Sequence, residues 1–257
     1  MKGRELFRKR RVPQPSIRRE DLMARTLAAE YKALFDALGS SASRGPAAVF
    51  QRLQDLIGER GVDAARLRSR LNAQLIDETR RVISDLVENG SDALKEKLGS
   101  LSLPAQEVFG ERIQKIRELY LDDAVLRMQG EEDELKRRFL ARLSLWAEGE
   151  SPDMDVADII AKTKEIADGR ARFFARDQFS RFNRSVMVAS YQESDAPYVE
   201  WLTSNDQRVR ETHRERNYKI FTMAGLIADP EWKSYGCRCG FAPLWHLTAD
   251  QKRRLVA

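Results

Sequence analysis

The chain has 257 residues, 42% of them hydrophobic and 33% charged, and its 45 Lys and Arg against 40 Asp and Glu give a formal net charge of +5. That length suits one large domain or two modest ones, and the ample, regularly spaced apolar residues exclude a disordered chain. The near balance of charge argues against a protein that coats nucleic acid along its whole length. No run approaches the roughly 18 continuous apolar residues of a membrane span, and the N-terminus lacks the apolar stretch of a secretory leader. The two cysteines, Cys237 and Cys239, stand one residue apart, a poor spacing for a structural disulfide, so a reducing cytosol is the expected compartment.

Residues 1–15 read as a basic arm carrying Lys2, Arg4, Arg8, Lys9, Arg10 and Arg11, with Pro13 and Pro15 opposing a regular helix. Such an arm suits contact with DNA phosphate or an acidic protein surface, and equally suits a solvated tail. From Ser16, a candidate N-cap, Leu22, Leu27, Tyr31, Leu34 and Leu38 follow helical spacing, and Gly39 reads as the stop. A small-residue loop from Ser40 to Pro46 and a short helix through Val49, Leu53 and Ile57 come next. The clearest stripe is Leu67, Leu71, Leu75, Val82 and Leu86, closed by Gly90. Asp92 to Leu98 adds a turn or two.

Pro104 opens a helix through Phe109, Ile113, Ile116 and Tyr120 that extends towards Gly130, and a further pattern runs from Glu131 to Trp146. Gly149 to Pro152 reads as a break. Val156, Ile159, Ile160 and Ile166 start another helix, which Gly169 only punctuates before Phe173, Phe174, Phe179, Phe182 and Val186 continue it. The apolar stripes read as core faces. After Gln192 the composition changes: three of the four tryptophans, both histidines and both cysteines fall there. The expected fold is therefore mainly α, with a long-helix body over residues 16–192 and a small α+β module over 193–257.

Three segments of that C-terminal third carry information. Ala175, Arg176 and Asp177 form the first. Trp201, Thr203, Asp206, Arg208, Arg210 and His213 form the second, spaced Trp-x-Thr-x-x-Asp-x-Arg-x-Arg-x-x-His. Tyr235-Gly236-Cys237-Arg238-Cys239 is the third. In this order and spacing the segment from about Arg170 to Pro243 resembles the phage Mu gpF-like minor head proteins and the related phage SPP1 gp7 family. Many relatives carry a glycine a few residues after the histidine. Here Asn217 stands in that place, a residue that tolerates the left-handed conformation better than most.

The residues themselves also suggest chemistry. On a strand, positions two apart face the same way, so Cys237 and Cys239 would present two thiols together, with His213 approaching and His246 or Asp206 as a fourth ligand. That set suits a structural zinc in a module with a thin core. The spacing Cys-x-Cys departs from the usual zinc knuckle, and buried thiols beside a hydrogen-bonded histidine would look the same in sequence. Asp206, Arg208 and Arg210 read as a buried or half-buried ion-pair network near a core Trp201, with a docking surface as the alternative. Trp232 and Tyr235 read as core.

The resemblance implies a low-copy head-morphogenesis protein acting near the portal during procapsid assembly, retained in the virion or ejected with the DNA. It implies the portal protein and the major capsid or scaffolding proteins as partners, in the virion and, during assembly, in the host cytoplasm. No membrane, small-molecule substrate or catalysis is expected. No G-x-G-x-x-G, Walker A, G-x-S-x-G or H-E-x-x-H motif appears. The alternatives are a metal-dependent nuclease and a DNA-binding protein.

Overall fold

The structure, a computed structural model, describes residues 17–57, 61–101, 103–148, 155–204 and 207–256. Among the described residues, seven helices come first: α1 (Ile17–Glu30), α2 (Lys32–Ala42), α3 (Pro46–Ile57), α4 (Ala64–Asn89), α5 (Asp92–Gly99), α6 (Leu103–Ala147) and α7 (Val156–Glu193). The C-terminal part alternates short elements: β1 (Tyr198–Leu202), α8 (Glu211–Glu215), β2 (Ile220–Thr222), α9 (Met223–Ala228), a 3-10 turn (Pro230–Lys233), β3 (Gly240–Leu244), α10 (Ala249–Arg253) and β4 (Leu255–Val256). This is a mainly α protein with a small α+β module.

Several expected helix boundaries moved. Tyr31 separates α1 from α2, and Leu22 is exposed, so Met23, Ala24 and Leu27 form the buried face of α1. Gly39 lies inside α2. The left-handed residue after that helix is Gly45, at φ 95°, and Pro46 then opens α3, where its missing N–H has no helical partner to lose. The stripe Leu67, Leu71, Leu75, Val82 and Leu86 is buried throughout α4. Gly90 donates its N–H to the Leu86 carbonyl at 3.0 Å, and a Cβ there would collide with that carbonyl oxygen. Ser91 caps α5 by accepting from the Leu94 N–H at 3.3 Å.

Gly130 does not divide α6, which runs unbroken for 45 residues. A single interior glycine costs only about 1 kcal/mol against alanine. The buried side chains Met128, Leu135, Phe139 and Leu143 around it outweigh that. Gly169 sits inside the 38-residue α7, as its flanking phenylalanines suggested. Ser16 and the break at 149–152 lie outside the described residues.

The chain divides into two compact units. Residues 17–74 with 120–176 form one, and residues 75–119 with 177 onward form the other. In the first, Leu34, Leu38, Val49, Leu53, Phe139, Leu143, Val156 and Ile159 make one apolar cluster. The same unit buries a charge pair: the Lys136 ammonium lies 2.9 Å from the Glu132 carboxylate, one helical turn away. Glu132 also accepts from the Gly61 N–H at 2.9 Å and the Val62 N–H at 3.0 Å. Gly61 is constrained in turn, because a Cβ there would run into Glu132.

The second unit holds the sheet, in the order β3-β1-β2-β4. The central strand β1 pairs antiparallel with β2 (Val199 opposite Phe221) and with β3 (Trp201 opposite Phe241), and β4 lies parallel to β2. Pro243 fits because β3 is an edge strand, where a missing ladder donor is tolerated. Trp201 is fully buried edge-on to Phe241, with ring centroids 5.1 Å apart. The end of α7 is tied to β3 by the Tyr191 hydroxyl, which donates to the Phe241 carbonyl at 3.1 Å. Buried Glu200 on β1 pairs with Arg254 at 2.6 Å, and Arg254 also donates to the Tyr218 carbonyl.

Candidate metal centre

The single-turn helix α8 points His213 inward. Its ring is buried and stands edge-on to Trp201, with centroids 5.3 Å apart. The two cysteines lie in the extended lead-in to β3, just outside the strand that sequence reasoning assumed. A turn with left-handed Gly236 (φ 68°) delivers them. Two side chains of α7 hold that turn. Asp177 accepts from the Gly236 N–H at 2.6 Å, and Arg184 donates to the Trp232 carbonyl at 2.9 Å and to the Cys237 carbonyl.

The result is a convergence of three donor atoms. Cys237 Sγ lies 3.2 Å from His213 Nδ1, and Cys239 Sγ lies 3.3 Å from the same nitrogen. All three atoms fall within 4.8 Å of one another, and all three residues are buried. The far nitrogen, Nε2, meets Glu231 at 2.7 Å and the Ser234 hydroxyl at 3.0 Å. The Cys239 N–H donates to Cys237 Sγ at 3.3 Å.

The electrostatics favour charge on one sulfur. The Cys237 thiol is pushed well below its ordinary value by hydrogen bonds from Cys239 and His213 and by the nearby Arg184 guanidinium, against the effect of burial. Cys239 is pushed up, first by its bond to Cys237 and then by burial. His213 is raised by its bond to Cys237 and by Glu231, with burial opposing. Asp177 is also raised, because burial outweighs the Gly236 N–H and the neighbouring arginines. Chemically, two thiols and one imidazole can hold a soft or borderline metal ion, or one thiol can act as a nucleophile beside the histidine.

The other residues singled out in the sequence separate clearly. Asp177, Trp201 and Thr203 are buried, and the Thr203 N–H donates to Asn217 Oδ1 at 3.0 Å. The left-handed residue near that position is Tyr218 (φ 63°), so Asn217 works through its side chain. Arg176, Arg208 and Arg210 are exposed, and the expected burial of the two later arginines is not found. Arg210 donates to the Ser234 hydroxyl at 2.9 Å and to the Tyr235 carbonyl, steadying the serine that meets His213. Trp232 is buried as expected, but Tyr235 is 38% exposed and is not a core residue.

His246 is exposed and stands apart from the three-residue cluster. Asp206 and the arm residues Lys2, Arg4, Arg8, Lys9, Arg10 and Arg11 lie outside the described residues. Sequence reasoning missed Arg184, Glu231 and Ser234. A signal existed for Arg184: it follows Asp177 by seven residues, two helical turns, and so shares its face. Glu231 and Ser234 sit between the second and third of the sequence segments, in a stretch that carries no motif of its own.

Comparison with known proteins bears on this same region. Residues 146–242 match the family model described as Phage Mu protein F like protein. A curated protein of Haemophilus influenzae, described as an uncharacterized protein, is 35% identical over 92 residues, which cover 34% of this chain and 21% of that protein. The chain thus spans about a fifth of the length of the curated relative it matches. No solved structure matches it. The stretch that is similar to the phage Mu protein F-like family contains β1, His213, both cysteines and the helix residues that hold their turn.

Proposed function

We propose that this protein is a minor component of a tailed-phage head, acting at low copy near the portal while the procapsid assembles. The observation that carries the reading is the match of residues 146–242 to the phage Mu protein F-like family. The long helices α6 and α7 support it, because they offer extended side-chain surfaces to large partners. Those partners are the portal protein and the major capsid or scaffolding proteins, and the protein stays in the virion or leaves with the DNA. No described helix is long and apolar enough to cross a membrane. The family match does not favour a metal-dependent nuclease, and we assign no catalysis.

Quantitative mass spectrometry of procapsids and mature particles, scaled to the portal protein, tests the reading. A few copies per particle are expected. Absence from both particle types would overturn it.

A further inference from the structure

We propose that His213, Cys237 and Cys239 bind one zinc ion that holds the sheet-bearing module together. The proposal is independent of the head-assembly reading, since it concerns what the cluster ligates and not where the protein acts.

Geometry carries the argument. A tetrahedral zinc with bonds of about 2.3 Å to sulfur and about 2.0 Å to nitrogen separates each nitrogen–sulfur pair by roughly 3.5 Å. The two separations here are 3.2 and 3.3 Å, so the ligand atoms already stand within a few tenths of an ångström of those edges. The hydrogen-bond arithmetic points the same way. Glu231 can only accept when ionised, so its contact calls for a proton on Nε2. In the neutral ring Nδ1 then carries a lone pair that faces both sulfurs, where one ion can use the nitrogen and both sulfurs together.

The surroundings are those of a ligated histidine and a ligated thiolate. A carboxylate on the far ring nitrogen fixes the tautomer and orients the ring for a metal. The Cys239 N–H donates to Cys237 Sγ, and the Arg184 guanidinium donates to the Cys237 carbonyl beside it. The Nη2 of Arg184 is buried with no hydrogen-bond partner among the described residues, so this cation gains from negative charge beside it. Nitrogen and sulfur donors select zinc over magnesium or calcium, which take oxygen. A nucleophile, by contrast, needs one thiol within reach of a substrate. Here two thiols share one nitrogen, and they are only 6% and 5% exposed.

The described residues supply three ligands, and a fourth donor completes the tetrahedron. The ion would join α8 to the lead-in of β3, two segments that β2, α9 and the 3-10 turn separate along the chain.

The test uses the full chain, purified under reducing conditions without a histidine tag. Zinc is measured by elemental mass spectrometry. Cobalt(II) is then added to chelator-stripped protein, and thiol alkylation is timed with and without zinc. About one zinc per chain is expected, with an intense sulfur-to-cobalt charge-transfer band and at least tenfold slower alkylation when zinc is present. C237S and C239S should each lose the band. Because either variant can fail to fold, the wild-type cobalt spectrum and alkylation rates decide the matter by themselves. No bound zinc, no charge-transfer band and unchanged alkylation would overturn the proposal.

Discussion

The helical unit of residues 17–74 and 120–176 and the sheet-bearing end of the chain are held by different means. The first rests on repetition: Leu34, Leu38, Leu53, Phe139 and Leu143 recur on helix faces and pack into one apolar cluster. No one of them is irreplaceable in kind, and its buried Glu132–Lys136 pair is an exception inside an apolar design. The second has strands of only two to five residues. It relies on a few singular groups: Trp201 among the aromatics, Arg184 and Asp177 on a turn, Arg254 on Glu200, and the His213–Cys237–Cys239 cluster. Where order comes from repetition, many small contributions add. Where it comes from singular groups, one substitution removes a large share.

The contrast can be broken most forcefully at Trp201. Trp201→Ala should destabilise the sheet-bearing region by about 4 kcal/mol, as large aromatic truncations in cores do. It should erase much of the near-ultraviolet circular dichroism while most helical far-ultraviolet signal persists. Loss of the two signals in step would contradict the distinction drawn here.

Lys136→Met leaves the Glu132 carboxylate buried without its ammonium and should cost about 3 kcal/mol in urea unfolding. Replacing both residues, as Glu132→Gln with Lys136→Met, should recover part of that loss. A single variant as stable as the wild type would show that the pair does not organise the helical unit.

Arg184→Met leaves the carbonyls of Trp232 and Cys237 without their donor, at about 2 kcal/mol. The readout is faster hydrogen exchange confined to residues 230–240. Exchange that rises equally across the chain would argue that Arg184 has no special hold on the turn.

The smallest effects concern two glycines. Gly130→Ala, in open space inside α6, should stabilise by up to about 1 kcal/mol. Gly90→Ala should destabilise, because the new Cβ meets the Leu86 carbonyl. A lower melting temperature for Gly130→Ala would refute the reading of α6 as regular helix at that point, and a higher one for Gly90→Ala would refute the collision with Leu86.

The same contrast governs what was legible in the sequence. The α4 stripe and the continuation of α7 through Gly169 follow from spacing alone, because burial of one helix face imposes a period on the residues. Spacing did not reveal that Gly39 and Gly130 lie inside helices, since a single glycine costs less than the packing around it contributes. At the site, His213, Cys237 and Cys239 stood out by rarity, and the structure brings them together. Arg210 and Tyr235 were misjudged because residue type does not reveal exposure on irregular backbone. Glu231 and Ser234 carried no pattern at all. Their role comes from the 3-10 turn that sets them against the histidine, a tertiary fact that no local period encodes.

Zinc K-edge X-ray absorption on the purified chain tests the claim that this cluster is the organising centre of the module most directly. The account predicts a first shell with two sulfurs at about 2.3 Å and an imidazole nitrogen at about 2.0 Å. A shell of oxygen and nitrogen alone, or a chain that takes up no zinc, would contradict it.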